Sequence, residues 1–317
     1  MLPRFKFALF ILFLGSCSTD SFVFEGLDAT YPEMQFPLDN PANPDAAKLG
    51  ERLFFDPILS IDSTISCGSC HKPEMGFATN DAVTPGVDGA LGKRNSPSLM
   101  NVGFQPYFMR EGGVPSLEMQ VLVPLGDGTE MAHNVVDAVR RLNRNTSYRN
   151  EFLGVYGDTA SPYLLVRALA NFERTLIDFS SAFDSYINGE GSSLSAEAVK
   201  GGQLFYGKAN CVECHSGVLL TDFSFANNGS AILDSSDYGR ELLTNESDDR
   251  YVFKTPSLRY VKQTAPYMHD GSVSTLAAVI EQYNSGGVSH SFTDPRIQPL
   301  DLSTAERNQL LAFLEAL

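Results

Sequence analysis

The sequence has no tryptophan in 317 residues, which excludes any role resting on an indole. Cysteine is scarce: there are five, and four of them fall in two tight pairs, so none is left over for a disulfide framework. Cations are few, 23 Lys and Arg against 38 Asp and Glu, for a formal net charge of −15. Phosphate neutralisation needs Lys and Arg, so general nucleic-acid binding is excluded, and neutral or basic partners are favoured. Long apolar runs are also missing. The run over residues 7–14 is too short to span a bilayer, and no later run is long enough. With 26 Gly and 17 Pro, collagen-like and low-complexity architectures are excluded. What remains, 43% hydrophobic and 19% charged residues, can bury a core, and the length suits two domains of ordinary size.

The first sixteen residues read as an export signal. Arg4 and Lys6 form a basic start, an apolar run follows, and Leu14-Gly15-Ser16-Cys17 resembles a bacterial lipobox in which Cys17 is acylated. The plainer alternative is an ordinary signal peptide with an incidental Cys. Either way the protein is expected to be exported, and with Cys17 acylated it is a periplasmic or cell-envelope lipoprotein held to the membrane only by its lipid. Residues 17–46 carry Pro32, Pro37, Pro41 and Pro44 and read as an extended tether.

The other four cysteines form Cys67-Gly68-Ser69-Cys70-His71 and Cys211-Val212-Glu213-Cys214-His215. C-x-x-C-H is the attachment signature of c-type haem. Two thiols add across the vinyl groups, and the adjacent His turns a ring nitrogen to the iron. A single zinc site of four thiolates, or a redox C-x-x-C pair, competes as a reading. Neither explains a His after both pairs.

The surroundings of the two motifs match. Gly50-Glu51-Arg52-Leu53-Phe54 precedes the first, and Gly201-Gly202-Gln203-Leu204-Phe205 the second. Pro97-Ser98-Leu99 with Val102 and Pro256-Ser257-Leu258 with Val261 follow. Pro106-Tyr107, Gly112 and Leu117 then match Pro266-Tyr267, Gly271 and Leu276, with one residue more between Tyr and Gly in the first half. The pattern predicts an all-α fold of two cytochrome c-like haem domains, residues 47–190 and 191–317, related by internal duplication and joined by long loops. The Gly- and Ser-rich stretch 188–195 reads as the linker. Ser161 before Pro162 predicts a helix start, with Leu164, Leu165, Ala168, Leu169, Phe172, Leu176 and Phe179 on one stripe. Val135, Val136, Val139 and Leu142 mark a helix before it. Ser303 and Glu306 predict a capping box opening a last helix that buries Leu310, Leu311 and Leu314.

A haem iron has two axial positions, and filling or freeing the second sets its reactivity. His71 and His215 supply the first ligands. Seven residues after the matched Leu stands Tyr283 in the second half and Pro124 in the first. Proline has no donor atom. The spacing therefore predicts a closed second haem and an open first one. Met268 rivals Tyr283 as the closing ligand, since thioethers serve many cytochromes c.

Together these motifs resemble the bacterial di-haem cytochrome c peroxidases, especially the branch containing MauG. The resemblance runs from about Ala47 to Leu317. It rests on both C-x-x-C-H boxes, Lys93-Arg94-Asn95-Ser96-Pro97, Ser116-Leu117-Glu118-Met119-Gln120, Glu130-Met131, Phe172-Glu173-Arg174-Thr175 and Thr264-Ala265-Pro266-Tyr267-Met268-His269-Asp270-Gly271. It implies that the N-terminal haem meets peroxide and the C-terminal haem passes electrons. Gln120 and Glu130 match the distal-pocket Gln and acid. Pro124 and Tyr283 match the proline and axial tyrosine of the MauG branch. Asn95, with the backbone carbonyls of Thr264 and Pro266, matches a calcium site between the haems. His269 matches a position near the second haem. Two departures stand out. The distal His of the peroxidases proper would fall near Val87, and no His is there. The family Trp between the haems, in a W-D-G stretch, is replaced by Arg110-Glu111-Gly112.

The function expected from this is peroxide reduction to water with electrons from a small cytochrome c or cupredoxin. The alternatives are MauG-like oxidation of a protein or organic substrate, and a non-catalytic di-haem electron carrier. A homodimer is compatible with all three. His133, beside Glu130, reads as a helix-start or surface residue with the pocket as its alternative, and His290 as an exposed loop residue.

Overall fold

The computed structural model describes Phe24, Leu27 and residues 29–230, 237–288 and 290–317. The export signal and Cys17 lie outside the described residues. The chain folds as helices joined by long loops. The longer helices are Pro44–Phe55, Val135–Arg144, Thr146–Tyr156, Pro162–Glu173, Ala196–Tyr206, Leu276–Asn284 and Thr304–Leu314. The all-α expectation needs one qualification: Phe225–Ala226 pairs antiparallel with Phe253–Lys254 as a two-stranded ribbon.

Local chemistry sets the helix ends. The Ser161 hydroxyl accepts from the Leu164 amide at 3.2 Å, and Pro162 follows it in the first turn. Ser303 and Glu306 cap each other reciprocally, and Ser195 caps Ala196–Tyr206. The predicted stripe after Ser161 leaves the helix at Glu173. There the Thr175 amide turns back to the Phe172 carbonyl at 2.8 Å, and Leu176 is buried from a loop. In the helix at Val135, Val139 and Leu142 are buried but Val136 faces solvent.

There are two apolar cores. One gathers Leu53, Phe54, Leu117, Leu142, Phe152 and Leu165, the other Phe205, Leu220, Ile280, Leu310 and Phe313. In each, an early helix crosses a late one: Pro44–Phe55 on Pro162–Glu173, and Ala196–Tyr206 on Thr304–Leu314. Glycine makes both crossings close. A Cβ at Gly50 would collide with the Ala168 carbonyl, and one at Gly201 with that of Gln309.

The cores do not divide where the linker does. Helix Ala182–Ile187, expected in the first domain, sends Phe183 and Tyr186 into the second core. Residues 188–195 therefore connect two helices of the same core. The expected tether is likewise not free along its length. Phe24 is buried against Phe183, Tyr186, Tyr206 and Phe313. Asn40 is buried against the first half, donating to Glu118 at 2.7 Å and accepting from Asn171 at 2.6 Å.

The same local features recur in both halves. Asn101 and Tyr260 take left-handed backbone (φ 58° and 63°) before a single turn of tight helix. Phe108 bridges Val114, and Tyr267 bridges Val273. Inside these hairpins Met109 and Met268 have φ of 66° and 76°, and Gly112 and Gly271 of 73° and 69°. The bridges pair Phe108 with Tyr267, so the extra residue of the first half lies ahead of the hairpin.

Candidate haem sites and the junction between them

Each C-x-x-C-H motif closes on itself in the same way. The His71 amide donates to the Cys67 carbonyl and the His215 amide to that of Cys211, both at 2.9 Å. Each ring is then fixed through Nδ1, His71 on the Phe77 carbonyl at 3.0 Å and His215 on the Leu220 carbonyl at 3.1 Å. Nδ1 carries the proton in this arrangement, which leaves the Nε2 lone pair for a metal. Burial lowers the pKa of both rings and keeps them neutral. The four thiols are free of disulfides, and no group of three or more His, Cys, Asp or Glu among the described residues could hold a metal ion. The four-thiolate zinc reading therefore fails, and the residues present fit two haems c.

The first motif faces the chain that follows helix Leu117–Gln120. Val121 continues the helical turn into Leu122–Gly126, so Gln120 and Pro124, four residues apart, share one face. Asp127 then builds a tight turn, its carboxylate accepting from the Thr129 amide and hydroxyl at 2.7 Å each. The Met131 amide returns to the Pro124 carbonyl at 3.2 Å, and the Val87 amide donates to the Glu130 carbonyl at 2.9 Å. Pro124, Glu130 and Val87 are thereby brought together. Solvent reaches the Glu130 side chain, but the protein packed around it, and then the Asp127 carboxylate, raise its carboxyl to about 7. Burial pushes the thiols of Cys67 and Cys70 up to about 12 and 11, and Glu130 adds to both shifts. Those values cease to apply once the sulfurs are thioethers, but the proximity of Glu130 stands.

A second acid lies near Cys67. Glu173 is buried, one oxygen has no hydrogen-bond partner, and burial raises its carboxyl to about 8. It raises the Cys67 thiol as well. Its neighbour Arg174 instead forms a buried ion pair with Glu118 at 2.7 Å. Two of the motifs singled out in the sequence thus meet in one structural contact.

At the second motif, Tyr283 lies near Cys211 and Cys214, and burial raises its phenol to about 12. The Asn228 amide donates to Tyr283 Oη at 3.0 Å and to Met268 Sδ at 3.5 Å. Both candidate ligands therefore stand at one place, joined by a residue the sequence reading missed. Asn228 sits in a loop with no motif around it.

The halves meet around residues 94–112. Arg94 grips Asp237 through two bonds of 2.8 Å and also pairs with Glu111. The Tyr107 hydroxyl donates to the Phe223 carbonyl at 2.7 Å, and its ring stacks on Phe225 at 5.2 Å. The Lys254 amide donates to the Arg110 carbonyl at 2.7 Å, and the Asn95 amide to the His269 carbonyl at 2.8 Å. The His269 ring stacks on Phe253 at 4.3 Å.

Of the residues expected to hold calcium, Asn95 has its side-chain oxygen engaged: it accepts from the Arg110 guanidinium at 3.1 Å. Thr264 and Pro266 lie in the loop leading to His269. His133 stands at a helix start as expected, just ahead of the Asn134 cap, but is buried, its Nδ1 donating to the Leu59 carbonyl at 2.8 Å. His290 lies in a loop as expected but is half-buried, and accepts from the Phe292 amide at 3.1 Å.

A family model described as di-haem cytochrome c peroxidase matches residues 44–192. The chain is 35% identical to the methylamine utilization protein MauG of Methylorubrum extorquens, over 89% of this chain and 80% of that one. It is 33% identical to the cytochrome-c peroxidase IdrP1 of Pseudomonas sp. strain SCT, over 91% and 85%. A crystal structure of a MauG-like protein associated with microbial copper homeostasis superposes with a TM-score of 0.85 at 32% identity, covering 92% of this chain and 94% of that one. With both attachment motifs in place and similarity along most of its length, the chain belongs to the di-haem cytochrome c peroxidase family.

Proposed function

We propose that this protein is a di-haem peroxidase that reduces hydrogen peroxide to water, taking two electrons from a small cytochrome c or cupredoxin. Cys67, Cys70 and His71 would hold the peroxide-reacting haem, and Cys211, Cys214 and His215 the haem where electrons enter. When bound, the first haem supplies a redox-active iron at which an O–O bond can be cleaved. The chain must then supply protons and keep a coordination position clear.

The observation that carries the reading is the meeting of Pro124, Val87 and Glu130 beside Cys67 and Cys70. Neither Pro124 nor Val87 has a donor atom to close an iron. O–O heterolysis leaves negative charge on the departing oxygen, and a carboxyl raised to about 7 can both hold a proton and give it up near neutral pH. Gln120, on the face of Pro124, would orient the peroxide by hydrogen bonding. Per peroxide, two electrons and two protons give two waters. On the other side Tyr283 would close the second iron, with the Asn228 amide holding its oxygen. Peroxide-dependent oxidation of a reduced small cytochrome tests the reading, and its absence with every reduced donor offered would refute it.

Tyr283 also favours a second reading, MauG-like oxidation of a protein or organic substrate. Stable storage of both oxidising equivalents across the two haems after peroxide, with no donor present, would select it. The non-catalytic carrier requires both irons closed and predicts indifference to peroxide. We place the protein outside the cytoplasm as a lipoprotein, on the lipobox-like Cys17. No helix among the described residues is long and apolar enough to cross a membrane.

A further inference from the structure

We propose that Arg110 is the resident cation of the junction between the two haem domains and takes the place of calcium there. Its guanidinium makes three contacts with one residue. Nε and Nη2 donate to the Asn95 carbonyl at 3.1 and 2.7 Å, and Nη2 to Asn95 Oδ1 at 3.1 Å. The orientation of the Asn95 amide is settled at its other end, where Nδ2 donates to the Asp81 carbonyl at 3.1 Å. Oδ1 therefore points at Arg110, and a divalent cation on that oxygen would sit within a few ångströms of a fixed positive charge. Like charges at that separation repel strongly in a partly buried site.

The nearby carboxylates offer no better seat. Asp237 and Glu111 are held by Arg94. Asp270 accepts from the Ser272 amide at 3.1 Å and lies close enough to the Arg110 guanidinium to interact with its charge, so that its charge is already partly balanced. Arg110 also does structural work that a bridging metal would do. Its side chain holds Asn95, whose amide reaches the His269 carbonyl, and its own carbonyl accepts from Lys254. One residue thus ties the first half to two loops of the second. On this reading a single replacement at the W-D-G position both removes the indole and supplies the cation from the chain itself. Arg110 is a positioning residue in this account, and the inference does not depend on which substrate the protein oxidises.

The test uses the full holoprotein carrying both haems. Elemental analysis after dialysis, calorimetric titration with calcium, and the electron paramagnetic resonance spectrum with and without EGTA are measured together. The expected results are no bound calcium, no heat of binding and a spectrum untouched by chelation. Arg110→Gln is expected to alter the low-spin signal whether or not calcium is added, and Arg110→Lys to restore it. Stoichiometric calcium in the wild-type protein, or a spectrum that EGTA changes, would overturn the proposal. So would an Arg110→Gln spectrum identical to wild type. Should Arg110→Gln fail to fold, the wild-type measurements decide alone.

Discussion

Glu130 is where residue chemistry and function meet most closely. Its carboxyl sits at about 7, so the protonated form prevails below that pH and is lost above it. If this proton goes to the leaving oxygen, the rate of reaction with peroxide falls as pH rises through about 7. Glu130→Gln keeps the shape and removes the proton, and should slow the step by roughly 10²–10⁴-fold while abolishing the pH dependence. Stopped-flow spectra of the oxidised holoprotein measure both, and an unchanged rate in the variant would remove Glu130 from the mechanism. The second iron has its own residue-scale test. Tyr283→Phe should change the low-spin resonance of the second haem, and Met268→Leu should leave it as it is. The reverse pattern would make Met268 the ligand. The two attachment motifs were legible in sequence because covalent attachment imposes a fixed spacing, and the approach of Tyr283 to Cys211 and Cys214 because a helix keeps its register from Leu276. Asn228 and Arg110 were not legible as partners. Their contacts join loops whose approach only the tertiary fold decides.

At the scale of elements, the helix starts were readable and the packing was not. Ser161 and Ser303 act on amides within the next turn, so local sequence contains the whole interaction; the Ser195 cap, of the same kind, went unread within the stretch taken as a linker. The role of Asn40 could not be seen the same way, because its partners Glu118 and Asn171 are 78 and 131 residues distant. Helix Ala182–Ile187 was assigned to the wrong core for a related reason: a six-residue amphipathic segment shows which face is apolar, not what covers it. Two stability predictions follow from these contacts. Gly50→Ala forces the first crossing apart and should cost ~1–3 kcal/mol. Asn40→Ala removes one buried hydrogen bond each from Glu118, which keeps Arg174, and from Asn171, which keeps the Arg167 carbonyl, and should cost ~1–3 kcal/mol. Denaturant unfolding of the holoprotein reads both, and a neutral effect of Gly50→Ala would mean that the helices are less closely apposed than described.

Across the whole molecule, the net charge of −15 makes a basic donor the better partner. Electron delivery from a basic small cytochrome should therefore slow as salt rises and the screening length falls from ~30 Å at 0.01 M to ~8 Å at 0.15 M. A rate indifferent to salt would point to an apolar docking surface or to a different donor. The division of labour between the halves is the larger claim. The chain carries two C-x-x-C-H motifs, and in the proposed correspondence of the halves a proline stands where the other half has a tyrosine, with Glu130 near Cys67 and Cys70. The measurement that tests this most directly is the electron paramagnetic resonance spectrum of the fully oxidised holoprotein before and after stoichiometric peroxide. One high-spin and one low-spin signal, with the high-spin signal lost on peroxide, is the predicted result. Two low-spin signals that peroxide leaves unchanged would contradict it.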